Sequence, residues 1–272
     1  MTKVYLTTIA VLLFQWSSAQ GWRSVGARSL SLSGTVVASR DVWSYHHNPA
    51  GIAYVQKISA GLSYENRYLL KELQTQGMVV AVPLKIGVIS AGVQSYGYRI
   101  YRTMRVGAGY SMKLAERIAA GVQLNYQGMR IENYGTRSNV TAEAGITADV
   151  TSDLTLGFSV MNIGRSKLAE FQDERYTTVM RLGLAYSVSG KVLILGEVQK
   201  EITSKLRPKL AVEYELLSDF FLRIGGAYNP PELSFGIGYI VKKAFKIDIG
   251  SAWQQHLGWC PHVGFTYELK KM

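Results

Sequence analysis

A chain of 272 residues with 1 cysteine, 6 prolines and a formal net charge of +11 is long enough for one large domain and has no Pro-rich or Ser-rich linker to divide it. A single cysteine excludes an internal disulfide framework. The basic residues are spread along the chain rather than gathered with exposed aromatics, which argues against a nucleic-acid-binding surface.

Residues 1–19 read as a cleaved signal peptide. Lys3 supplies the positive end, Val4 to Phe14 the apolar run, and Ser17 and Ala19 the small side chains a signal peptidase needs. A run of about 11 apolar residues is well short of the roughly 20 that a spanning helix requires. The mature chain is therefore expected to be exported, with cleavage after Ala19.

Residues 20–57, a long preamble, precede the first strand-like segment. The stretch "DVWSYHHNPAGIA" holds an Asn48-Pro49 turn initiator and Gly51, which permits a left-handed backbone. His46 and His47 are adjacent, so in an extended segment they point to opposite sides and cannot share one ion. They read as polar residues near a rim, with no metal and no cofactor.

From residue 58 to 272 the chain alternates. In "DLTLGFSVMNI" Leu154, Leu156, Phe158 and Val160 alternate with Thr155, Gly157, Ser159 and Met161, and "AFKIDIGSAW" repeats the pattern. About fourteen such segments follow one another, beginning near Ile58, Gly77, Gly87, Thr103, Arg117, Asn139, Asp153, Tyr176, Lys191, Arg207, Asp219, Glu232, Ala244 and Cys260. No later apolar run could span as a helix, so an exported membrane protein with this pattern must be an antiparallel β-barrel.

The connections after even segments are short ("PLKIG", "LAER", "VTSD", "VSGK", "LLSD", "VKKA"). Those after odd segments are mostly longer and more charged, such as "MRIENYGTRS" and "IGRSKLAEFQDER". Short turns at one rim and longer loops at the other suit an outer-membrane barrel with its termini at the periplasmic side. Of the 17 tyrosines, the fourteen from Tyr64 to Tyr267 fall mainly at segment ends, where they would form aromatic girdles.

The polar parity carries Glu65, Arg105, Lys113, Glu143, Arg181, Glu197, Lys209, Glu213, Arg223, Lys246, Asp248 and Glu268. A charge at mid-bilayer facing lipid costs about 2–4 kcal/mol, so these are expected to face the lumen and to pair there. The same parity carries many glycines, among them Gly61, Gly92, Gly121, Gly145, Gly157, Gly183, Gly225, Gly236 and Gly250. They leave lumen volume for something else to fill.

The preamble resembles the N-terminal region of FadL-like outer-membrane barrels, in particular their PorV/PorQ branch. The matching residues are Gly26, Ala27, Arg28, Gly34, Asp41, Asn48, Pro49, Ala50 and Gly51. The resemblance implies a fourteen-stranded barrel with an N-terminal hatch in its lumen. It also implies a role in protein export or surface attachment with a type IX secretion translocon or cargo protein as partner. The outer connections are shorter than those with which long-chain fatty-acid transporters capture ligand, which favours export over a second reading, a channel for small hydrophobic compounds. A third reading is a purely structural barrel. The chain lacks a nucleophile elbow, an HExxH pair and a P-loop, so no catalytic residue is assigned and no enzyme is expected. Basic rims are expected to meet outer-membrane lipid and lipopolysaccharide in a Gram-negative envelope.

Overall fold

The computed structural model describes residues 24–166, 175–202, 204–255 and 257–269. The expected leader lies outside the described residues. Fourteen strands close into one antiparallel barrel in chain order, with β1 hydrogen-bonded to β14. They are β1 (Ser59–Asn66), β2 (Gln74–Leu84), β3 (Gly87–Gly97), β4 (Tyr101–Ala115), β5 (Ile118–Ile131), β6 (Gly135–Asp149), β7 (Leu154–Met161), β8 (Val179–Ser189), β9 (Val192–Glu201), β10 (Arg207–Leu217), β11 (Phe220–Ala227), β12 (Glu232–Val241), β13 (Phe245–Gln254) and β14 (Gly258–Glu268). Closure removes every free sheet edge.

The alternation sets the two faces. Phe158 is 41% exposed on the outer wall, whereas its neighbour Ser159 is 1% exposed on the inner one. Leu62, Val122, Leu124, Leu210, Ile224, Ile249 and Phe265 join Phe158 in an outward apolar belt. Ser59 and Glu268 are paired, which puts the first and last strand ends at the rim of short turns.

Two connections differ from the sequence expectation. The connections after β3 and β5 are only residues 98–100 and 132–134, because β4 and β6 run to 15 residues and β5 to 14. Polar strand ends beyond the apolar belt carry no alternating signal, so "MRIENYGTRS" looks like a loop while most of it is a hairpin. Register shifts occur at Lys113/Ala115, Ser187/Ser189 and Glu215/Leu217, all at the short-turn rim. The β14–β1, β1–β2 and β2–β3 ladders run without a shift, so the wall has no side opening there.

Residues 24–55 lie inside the barrel. They form α1 (Ala27–Ser31) and two 3-10 turns, Val42–His46 and Pro49–Tyr54. Leu32, Ala50, Ile52, Tyr45 and Trp43 are buried there, each apolar side chain contributing about 1.5–3 kcal/mol on removal from water.

Candidate functional site

The inward glycines are the seats of this segment. A Cβ at Gly121 would stand 2.5 Å from the Pro49 carbonyl carbon, one at Gly157 2.4 Å from the Val37 oxygen, and one at Gly225 2.5 Å from the Leu32 carbonyl carbon. These contacts are with backbone, which cannot swing aside, so a side chain at any of the three would push the segment away. Gly61 receives the Trp43 ring, Gly92 the Tyr45 ring, and Gly236 and Gly250 the Ser31 side chain.

The residues of the preamble motif each have a structural task. Gly26 (φ 98°) precedes α1, a conformation that favours glycine, and a Cβ there would meet Trp43. Ala27 abuts Gly264. Arg28 donates to both Glu213 oxygens at 2.8 and 2.7 Å and to Asp41 at 2.9 Å. Asp41 also caps the first 3-10 turn by accepting from the Trp43 N–H. The Asn48 side chain accepts from the Ala50 N–H and donates to the Val37 carbonyl at 2.7 Å. Pro49 offers its carbonyl to Ser111 at 2.6 Å. Ala50 is fully buried, and Gly51 lies against the Ser39 carbonyl and Ser44.

The inward charges form three groups. In the first, Glu197 of β9 is gripped by Arg181 of β8 (2.8 and 3.0 Å) and by Lys209 of β10 (3.1 Å). One Glu197 oxygen then accepts from the Val36 and Val37 N–H groups at 2.9 and 3.0 Å. Arg181 donates to the carbonyls of Gly34 (2.8 Å) and His47 (3.0 Å), and Lys209 donates to Gly34 at 3.3 Å. The clamp thus holds backbone donors and acceptors at once, and Gly34 (φ 69°) turns the chain so that its carbonyl reaches both cations.

In the second group Glu213 joins Arg28 to Arg223, which donates onward to Asp248 at 2.8 Å. In the third, Arg105 pairs with Glu143 at 2.7 Å, while Asn125 donates to Glu143 and accepts from Tyr45. Glu65 is buried beside a small polar cup of about 70 Å³ that Arg67, Arg207 and Glu232 also line. Of the remaining inward charges, Lys113 lies over the Tyr54 ring at 4.8 Å, Lys246 over Phe221 at 5.1 Å, and Glu268 faces Lys57 at 3.7 Å.

Sequence reading missed the hydroxyl and amide partners. Ser31 meets His262 at 2.9 Å, Ser33 meets Ser234 at 2.8 Å, and Trp43 Nε1 donates to Thr266 at 2.9 Å. Arg40, also missed, pairs with Asp149 beside the Tyr54 ring. All the strand partners have inward parity, the one signal that could have flagged them.

His46 and His47 require a correction. They are not near a rim but 1% and 2% exposed inside the lumen. His46 packs edge-on against Tyr45, and His47 Nε2 meets the Val25 carbonyl at 2.8 Å. Burial, with the Arg105 guanidinium behind it, lowers His46 to about 3. Burial, then Arg181, holds His47 well below the usual imidazole range.

A displaced segment would regain an ordinary imidazole near 6.5. As pH falls below that value, the displaced form takes up protons that the seated form refuses. The seat is therefore at full strength above about pH 6.5 and weakens toward pH 3, by about 3 kcal/mol for His46 alone near pH 4.5. Residues 24–57 are expected to resist protease near pH 7.5 and to become cleavable near pH 4.5. Equal resistance at both would contradict the assignment.

No family model matches the sequence, and no curated protein matches it. Solved structures do. The CymD monoaromatic hydrocarbon channel superposes with a TM-score of 0.68 at 11% identity, over 93% of this chain and 100% of its own. The Ralstonia pickettii toluene transporter TbuX gives 0.70 at 10% identity, over 92% and 100%. A Pseudomonas aeruginosa FadL homologue gives 0.68 at 12% identity, over 93% and 100%. This is the fold of the FadL-type channels. The fourteen-stranded barrel expected from the sequence is the observed one, and two of these neighbours are described as a channel and a transporter. None carries the PorV/PorQ description.

Proposed function

We propose that the chain is an outer-membrane barrel of the FadL type, exported behind the leader 1–19. In this reading the segment 20–57 acts as a hatch, and small hydrophobic compounds pass when the hatch yields. The outward apolar belt suits hydrocarbon, and a closed barrel satisfies its backbone there. The observation that carries the reading is a barrel fold shared almost end to end with channels described as toluene and monoaromatic hydrocarbon transporters. Here that barrel holds its own N-terminal segment in glycine seats.

A second reading is the PorV/PorQ-type role in protein export, with a secretion translocon or cargo protein docking at the long-loop rim. The unbroken β14–β1–β2–β3 wall and the charged interior offer an apolar compound no direct path, which keeps this reading in play beside the channel.

Uptake of labelled toluene by cells lacking their own channels separates the two. The channel reading expects initial uptake several-fold above the empty strain, with the protein in the outer-membrane fraction and heat-modifiable on a denaturing gel. Uptake equal to the empty strain, with the barrel assembled, would overturn the channel and leave the export reading. Recovery from the soluble periplasm would overturn both.

A further inference from the structure

The elongated hairpins carry a pair of arginines that the lumen does not use. Arg102 of β4 and Arg130 of β5 are directly opposite one another. Both have the outward parity of Met104 and Tyr126, which are exposed on the outer wall. Side chains opposed in this way start about 5 Å apart, and like charges so placed repel. Among the described residues neither arginine has an ion-pair partner. The nearby Glu132 is turned to Arg99 instead, at 3.7 Å. Two guanidiniums held together with no carboxylate form a site for an anion.

One row nearer the apolar belt, Ser95, Met104, Gly128 and Ser138 lie side by side across β3 to β6. Gly128 has no atom nearer than 3.7 Å to where a Cβ would be, so the wall is notched beneath the arginines. Ser95 also lines an outward groove of about 480 Å³, whose other walls include Leu62, Met78, Val93 and Phe265. From strand spacing, Ser95 is one strand and two residues from Arg102, about 8 Å. An anion site and an apolar groove thus adjoin on the outer wall.

We propose that this face binds a phosphate-bearing glycolipid of the outer leaflet, its phosphate between Arg102 and Arg130 and one acyl chain in the groove. Charge complementarity selects the phosphate, and continuity of the groove with the outward apolar belt selects a lipid over a soluble anion. The assignment rests on the outer-membrane reading, in which the rim opposite the short turns faces outward.

Native mass spectrometry of the full chain in detergent tests it, with diphosphorylated lipid A as probe and phosphatidylglycerol as comparison. Heat-modifiable mobility reports barrel integrity separately, so loss of the barrel and loss of the site are distinguishable. The native chain is expected to retain one lipid A. R102Q/R130Q should bind it about a hundredfold more weakly, about tenfold per guanidinium, with the barrel intact. V93W, which fills the groove and leaves both arginines, should also weaken binding. R130Q alone, expected about tenfold weaker, serves if the double variant does not assemble. Lipid A binding by the arginine variants within twofold of native, or equal retention of phosphatidylglycerol, would overturn the proposal. A dimer that R102Q/R130Q abolishes would give the face to a second copy and overturn it too.

Discussion

Cells producing the chain without residues 26–53 are expected to admit large hydrophilic antibiotics about tenfold faster than cells producing it intact, as an emptied barrel becomes a water-filled pore. The barrel should survive the deletion because its wall keeps its own ion pairs. Arg181–Glu197, Arg223–Asp248 and Arg105–Glu143 all join strand to strand. What disappears is Arg28, the apolar filling of the glycine seats, and the backbone groups that Glu197 and Arg181 hold. Those two side chains would then meet water, which costs little. Loss of the assembled barrel in the deletion strain would make the segment part of the folding core and contradict a separable hatch.

Phe158→Arg and Ser159→Arg should separate the two faces of one strand. Phe158 is outward and pairs across the wall with Ile146 and Leu182, so an arginine there costs about 2–4 kcal/mol against lipid. Most of the heat-modifiable species should be lost. Ser159 faces inward and donates to the His47 carbonyl at 3.1 Å, with Arg181 beside it on the neighbouring strand. An arginine at that position can live in a hydrated lumen but not under His47, so the barrel should assemble while the segment is displaced. Quantified assembled protein and antibiotic sensitivity read the two effects. Equal assembly of both variants would mean that the face assignment, and with it the membrane reading, is wrong.

The strands were legible because burial on one face imposes a period of two, and Gly157, Arg181 and Glu197 kept to it. Their inward parity indicated a lumen that was both charged and under-filled. Which charge meets which was not legible. Glu213 joins Arg28 from 185 residues away, and nothing local records that closure. The Asn48-Pro49 turn was readable from its residues, but its partners, Ser111 and the Val37 and Ile146 carbonyls, were not. The histidines misled because a polar residue in a polar-looking stretch suggests solvent, whereas this stretch is buried inside the chain's own barrel. The β4–β6 hairpins misled for the opposite reason, as strands that outrun the apolar belt lose the alternation that announces them.

Single-channel recording of the intact protein in planar bilayers at neutral pH shows whether the chain closes its own lumen. Near silence is expected, with steady conductance only when residues 26–53 are removed. A large and stable conductance from the intact protein would contradict it.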